Sequence, residues 1–422
     1  MQQVGRHATP IDQAAGAWLR STFLLWEHPV WSALLAIAVY AYFAAQHGPL
    51  LTSSIAPYFN WLADAFLHGQ LHLRVWWDTT HDLSLFEGRL YLYWPPFPAM
   101  LLLPFVAIFG VHVSDILFTL GVAGLNVALV ALVLRRATEH GIITTTAIQR
   151  ALLVVFFAFG TVHLTLAPFG RVWFTGQLVG FMCVALAYLA AITRRGALAF
   201  GLTGLAIACA LLTRNHLVLA GLWPAWWLLR EHRRQPWRRL ITNTLIGIAP
   251  VALAVALLGA YNWARFGSPL DNGLDYHLMA ERFAADYQRY GAFNLHYLPT
   301  NLWYQYLAYP IPARADSTMG GSLFLLSPLF FAVWWGLADR ASRPSNWVLG
   351  ITCLLVAVPI LLLMGTGWVQ WGPRYTLDFT LPLLLLTAIG MRRWPLWLIS
   401  ALVAISVAHY VYGATELLYR LP

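Results

Sequence analysis

Lysine is absent: all 26 cationic side chains among the 422 residues are arginine. A Schiff-base lysine and a P-loop lysine are therefore excluded, along with the reactions that depend on them. Charge of any kind is scarce, at 10% of the chain, where soluble domains carry about a quarter. That argues against a soluble enzyme, a disordered scaffold and a nucleic-acid-binding module, so no nucleic-acid partner is expected. Cysteine is nearly missing too. Cys183, Cys209 and Cys353 lie in apolar runs without metal-type spacing, and read as small buried hydrophobes.

What abounds is apolar surface, 59% of the chain, of which aromatic rings supply 15%. Long apolar runs lie at 30–46, 114–134, 150–167, 175–193, 198–213, 215–229, 240–262, 322–338, 346–365, 376–390 and 394–412. Most approach the ~20 residues that cross a bilayer. A further run, Phe97–Gly110, follows Trp94-Pro95-Pro96 and is short for a crossing, so it reads as re-entrant or interfacial. Leaving it out places 16 Arg and 5 acids on one side of the membrane, against 10 Arg and 12 acids on the other. The two sides then carry +11 and −2, the segregation that the positive-inside rule expects.

The expected architecture is an all-α polytopic membrane protein of about eleven transmembrane helices, N-terminus cytoplasmic and C-terminus outside. The pair 198–213 and 215–229 is short enough to be a re-entrant hairpin without changing this parity. The apolar segment ending at Ala44-Ala45 carries Trp31, Tyr40, Tyr42 and Phe43 after a long polar lead, so it reads as a retained first span. Residues 1–29 form a cytoplasmic segment, 30–262 a membrane module including the outer loop 47–113, 263–321 a second outer loop, and 322–422 the C-terminal helices. The short inner loops suit orientation, so chemistry is expected at the outer face.

The first outer loop opens on an amphipathic pattern, with Phe59, Leu62, Ala63, Phe66 and Leu67 on one face and Asn60, Asp64 and His68 on the other. Asp78, His81, Asp82 and Glu87 follow, then Tyr91, Tyr93 and Trp94. Acids on a loop pressed to the bilayer suit proton abstraction or coordination of a divalent cation; they equally suit plain solvation or helix capping. His68 and His72, four apart with His81 nearby, read as interfacial histidines rather than metal ligands, and no metal is assigned.

The second outer loop runs from Tyr261-Asn262 through Arg265, Asp271 and Asp275 to the aromatic stretch Trp303–Tyr309, which fits a membrane-interface belt or a sugar platform alike. The last outer loop reads Gly367-Trp368-Val369-Gln370-Trp371-Gly372-Pro373-Arg374-Tyr375, with Asp378 beyond it. Arg374 at the rim offers a planar fork to phosphate oxygens, unless it simply snorkels. Arg171, Arg214 and His216 belong to the same face, so several cations can converge on one anion.

The ordered set of features resembles the GT-C class of membrane glycosyltransferases. It comprises a first span, the helix Tyr58–Gly69, an Asp, a Pro-Pro break, many spans, Tyr261-Asn262 with Arg265-Phe266-Gly267-Ser268-Pro269, and a late Gly372-Pro373-Arg374-Tyr375. The resemblance is to bacterial relatives of the protein O-mannosyltransferases and the lipid A aminoarabinose transferase, over most of residues 30–390. It implies a plasma (inner) membrane glycosyltransferase, inverting, that takes a sugar from a polyprenyl-phosphate-linked donor. The acceptor would be an envelope lipid, glycan or protein, met at the non-cytoplasmic face. It also implies an acid on the first outer loop at the acceptor hydroxyl, with outer basic residues on the donor phosphate. Residues 52–57, where such relatives carry an acid, hold none. Asp82 is then the expected acid, with Asp78 and Glu87 behind it and Asp64 weaker. Arg374, Tyr375, Arg171, Arg214, His216, Tyr261 and Arg265 are the expected substrate contacts. A non-catalytic GT-C-like scaffold and a lipid or solute transporter are the alternatives from other classes.

Overall fold

The computed structural model describes residues 23–75, 82–341 and 343–420. Among them, seven helices are long and apolar enough to cross a membrane: Pro29–His47, Asp115–Glu139, Ala147–Leu166, Val172–Thr193, Trp237–Phe266, Arg343–Leu362 and Leu396–Leu417. Local chemistry sets their starts. Pro29 opens the first, where its missing N–H costs nothing. Ser114 caps the second by accepting from Leu117 N, and Asp115 and Arg136 complement its dipole at either end. Thr146 and Gln149 close a capping box on the third.

The remaining four of the eleven apolar runs fold as shorter or broken helices. Gly196–Leu211 has 16 residues. The run 215–229 divides into the tight turn Asn215–Gly221 and the helix Leu222–His232. The run 322–338 breaks at Ser327-Pro328, because proline cannot donate to the preceding turn. The last begins as a tight turn, Arg374–Phe379, before Thr380–Gly390. Length and composition thus suit seven helices to crossing a membrane among the described residues. Val172–Thr193 lies at the centre of the bundle, against Asp115–Glu139 and Gly196–Leu211, and is apolar all round as burial requires.

The first outer loop differs from the amphipathic expectation. In the helix Tyr58–Leu67, Asn60 is fully buried and donates through Nδ2 to the Val111 and Val113 carbonyls, at 3.2 and 2.8 Å. Leu67 is the exposed one. The helix packs on Phe97–Phe109, which turns Met100, Phe105, Ile108 and Phe109 outward. The helix is therefore sandwiched, not laid flat on the surface, and Asn60 is satisfied by carbonyls that a period-based reading cannot see.

A carboxylate does stand beside residues 52–57, but it comes from the second span. Asp115 accepts from Ser54 N at 2.7 Å and from Ser54 Oγ at 2.6 Å, tying the first outer loop to the bundle. Two small ribbons complete the loops. Ser84–Phe86 pairs antiparallel with Arg89–Tyr91, and Met319–Gly320 pairs parallel with Gln370–Trp371.

Candidate functional site

Asp82 sits just before the first ribbon with a positive φ of 61°. Its backbone is fixed by the second outer loop: Asp82 N donates to Leu278 O at 3.2 Å, and Leu278 N to Leu83 O at 2.8 Å. Its carboxylate is held at both oxygens. Trp173 Nε1 donates to Oδ2 at 2.7 Å, and His277 Nε2 lies 3.0 Å from Oδ1. Burial, reinforced by the Asp82 charge, pushes the Tyr58 hydroxyl up to about 12. Burial and then Asp82 also raise Tyr93 well above its ordinary value. The neighbouring phenols therefore stay protonated.

A cavity of about 400 Å³ opens beside Asp82. Arg171, Arg214, His216, Arg374 and Tyr375 line it together with Asp82, although they come from four separate stretches of chain. Arg171 precedes the first residue of Val172–Thr193; burial lowers its guanidinium to about 10, which leaves it a cation at neutral pH. Arg214 Nη2 and His216 Nε2 both meet Asp378 Oδ2, at 3.1 and 2.8 Å, with the Asp378 side chain fully buried behind them. Arg374 is held by neutral groups instead. Its Nη2 donates to Tyr375 Oη at 3.1 Å, and its guanidinium lies over the Tyr375 and Phe174 rings at 4.8 and 5.7 Å. Its Nε is buried without a partner among the described residues.

Arg374 is presented by the loop 366–375, which the second ribbon anchors through Met319–Gly320. Val369, a β-branched residue lining the cavity, is strained at φ +51°, the kind of outlier that clusters at functional sites. The lining also includes the apolar residues Phe283, Phe293, Pro359, Ile360, Leu363 and Met364. The arrangement offers one hydrogen-bonded carboxylate, a surplus of cations and apolar lining side chains.

Breaking the Asp378 pair tests how far this cluster supports the fold. Asp378→Leu leaves the Arg214 charge buried and uncompensated, so stability should fall by about 3–5 kcal/mol. Denaturant unfolding of the purified protein measures it, and a loss below about 1 kcal/mol would mean the pair is idle.

Other expected residues go elsewhere. Glu87 is exposed at the tip of the first ribbon, where Glu87 and Gly88 both take positive φ (49° and 72°) in a two-residue hairpin turn. Asp64 pairs with Arg74 at 2.9 Å on the outside of its helix. Asp78 and His81 lie outside the described residues. Tyr261 and Arg265 stand away from the cavity lining. Arg265 donates to Leu92 O and Asn262 Oδ1, both at 2.7 Å, and stacks on Tyr261 at 3.9 Å, so its guanidinium braces the chain behind Tyr93. Among the described residues no group of three or more His, Cys, Asp or Glu is placed to hold a metal. His277 and Trp173 have no signal in the sequence. Each is one aromatic among many, far from Asp82 along the chain.

Fold and site together define a protein of seven membrane-length helices and GT-C-like fold, with a cation-lined cavity beside its first ribbon. The crystal structure of ArnT from Cupriavidus metallidurans in the apo state is similar, with a TM-score of 0.53 and 16% identity, covering 90% of this chain and 61% of that one. This chain thus spans less than two thirds of the length of that protein. The same ArnT bound to undecaprenyl phosphate matches at a TM-score of 0.46 and 16% identity, covering 86% of this chain and 59% of that one. The apo oligosaccharyltransferase of Archaeoglobus fulgidus matches at 0.47 and 14%, covering 92% and 55%. These two scores are too low to argue from, and at such identities the likeness concerns the fold alone. No protein-family profile and no curated protein matches the sequence.

Proposed function

We propose that this protein is a glycosyltransferase that moves a sugar from a polyprenyl-phosphate donor to a lipid, glycan or protein acceptor at the non-cytoplasmic face. One observation carries the reading: a single cavity is lined by a carboxylate, three arginines and a set of apolar side chains. The donor phosphate lies among Arg374, Arg214 and Arg171, its isoprenoid chain along Phe283, Phe293, Ile360 and Leu363, and the acceptor hydroxyl at Asp82. The acceptor oxygen attacks the anomeric carbon on the face opposite the phosphate, the carbon–oxygen bond to phosphate breaks, and configuration inverts. The proton passes to Asp82, and the departing phosphate gains the charge that the guanidinium groups neutralise. Those cations bind the leaving group more tightly as its charge grows, which lowers the barrier. The GT-C-like fold supports the reading.

The test is transfer from radiolabelled polyprenyl-phosphate sugars to envelope lipid by the protein in liposomes. Transfer dependent on Asp82 and Arg374 supports the reading. Equal transfer by empty liposomes, or none from any donor, ends it. Gly367 sharpens the phosphate assignment. It adopts φ +89°, and a Cβ there would lie 2.5 Å from Gln370 Oε1 and 2.9 Å from Arg374 Nε. Gly367→Ala should displace Arg374 and weaken undecaprenyl phosphate binding by about tenfold, the equivalent of one charge-assisted hydrogen bond. Unchanged binding in that variant would argue that Arg374 points elsewhere.

The membrane orientation belongs to the same proposal: eleven spans, with the Arg-rich loop 230–239 cytoplasmic and 263–321 outside. Single cysteines replacing Glu231 and Asp275, in a background freed of Cys183, Cys209 and Cys353, should label from opposite faces. Labelling of both from one face would sink this topology.

A further inference from the structure

The carboxylate proposed as the base is not placed by its own loop. Its Oδ1 faces His277, 195 positions further along the chain, and the His277 side chain is fully buried. Backbone pairing holds that imidazole in register: Ser84 bridges His277, Ser84 Oγ donates to Gly273 O at 2.6 Å, and Leu278 pairs with Leu83. The Tyr93 ring packs edge-on at 4.8 Å, blocking rotation. Among the described residues His277 Nδ1 is buried without a partner.

Two buried nitrogens with one acceptor between them select a tautomer. A proton on Nε2 gives a donor aimed at the carboxylate and leaves Nδ1 as a bare lone pair. A proton on Nδ1 would bury an N–H with nothing to accept it, the costlier arrangement. With Trp173 donating to Oδ2, each carboxylate oxygen is fixed by one N–H and keeps a further lone-pair direction open.

We infer that His277 is a positioning residue for Asp82, holding one carboxylate oxygen through Nε2–H so that the open lone pairs face the acceptor hydroxyl. The inference rests on the role given to Asp82 above. His277 touches neither donor nor acceptor and takes no proton during transfer. The pair links the two outer loops, so the acid acquires its orientation only when both are in place.

The experiment compares wild type, His277→Phe and His277→Gln in liposomes, reading kcat and the donor KM for transfer, with undecaprenyl phosphate binding measured separately. His277→Phe keeps a ring but loses the donor, so kcat should drop by at least about tenfold with donor KM unchanged, because base geometry is lost and the arginines are not. His277→Gln restores an N–H and should recover most of that loss. Trp173→Phe, which frees the other oxygen, should mimic His277→Phe. Full kcat in His277→Phe overturns the inference alone. So does a Gln variant no better than Phe, which would assign proton chemistry to the imidazole. Loss of undecaprenyl phosphate binding in both His277 variants would make the residue a fold support and overturn it too. A wild type without transfer overturns the transferase reading itself, and with it this role.

Discussion

Asp82→Asn should lower the transfer rate by on the order of 10²–10⁴, the usual loss when a general base is removed. The side chain is small, partly exposed and carried on a loop, so the variant should insert and purify like wild type. Removing the charge has a second consequence here. Asparagine keeps one acceptor oxygen, yet two N–H groups, from Trp173 and His277, point at the carboxylate. One of them would then face an NH₂ group, so the loss should exceed that of a base held by water alone. Glu87→Gln should behave as wild type, since its side chain stands exposed at the hairpin tip. Sugar transfer measured on the two purified variants decides this. Full activity in Asp82→Asn would move the base elsewhere. If Asp78→Asn were then the inactive variant, the segment 76–81 would supply it.

Arg374→Lys keeps the positive charge and removes the fork. A guanidinium presents several N–H groups in one plane, which two phosphate oxygens can engage together, whereas an ammonium acts as a point charge. The lysine would also lose the flat stacking over Tyr375 and Phe174 that holds the group in place. A charged hydrogen bond contributes about 1.5–3 kcal/mol, so undecaprenyl phosphate affinity should fall roughly 10- to 100-fold. Calorimetric titration with undecaprenyl phosphate measures it directly. Wild-type affinity and wild-type turnover together would remove Arg374 from the site. Arg214 offers a contrast, because Asp378 already neutralises part of its charge. Its conservative replacement should weaken binding less.

The helical architecture was legible because burial in lipid demands long apolar runs, and each run announced in the sequence is helical. Where a run breaks was less legible. Ser327-Pro328 interrupts a segment whose composition reads as continuous, and only the proline hints at it. Convergence of Arg171, Arg214, His216 and Arg374 followed from assigning all four to one face, which is a matter of parity rather than contact. Arg265 shows the limit of that logic. Asn262 stands one turn earlier on the same helix and captures its guanidinium, while Leu92 O takes its other end. The Asn60 side chain shows the same limit in reverse: an amide whose partners are two distant carbonyls reads, in a periodic pattern, like a surface residue. His277 could not be found at all, because nothing local marks which histidine will face a carboxylate from another loop.

The join between the two outer loops also sets a timetable. Asp82 is translated 195 residues before the histidine it faces. At about 5–20 residues per second, the ribosome needs roughly 10–40 s to cover that interval. Within it Trp173 follows the acid by 91 residues, His277 comes only at the end, and Arg374 is later still. On the proposed function, a chain ending before Arg374 should therefore bind no lipid phosphate at that arginine, and one ending before His277 should leave Asp82 without half of its support.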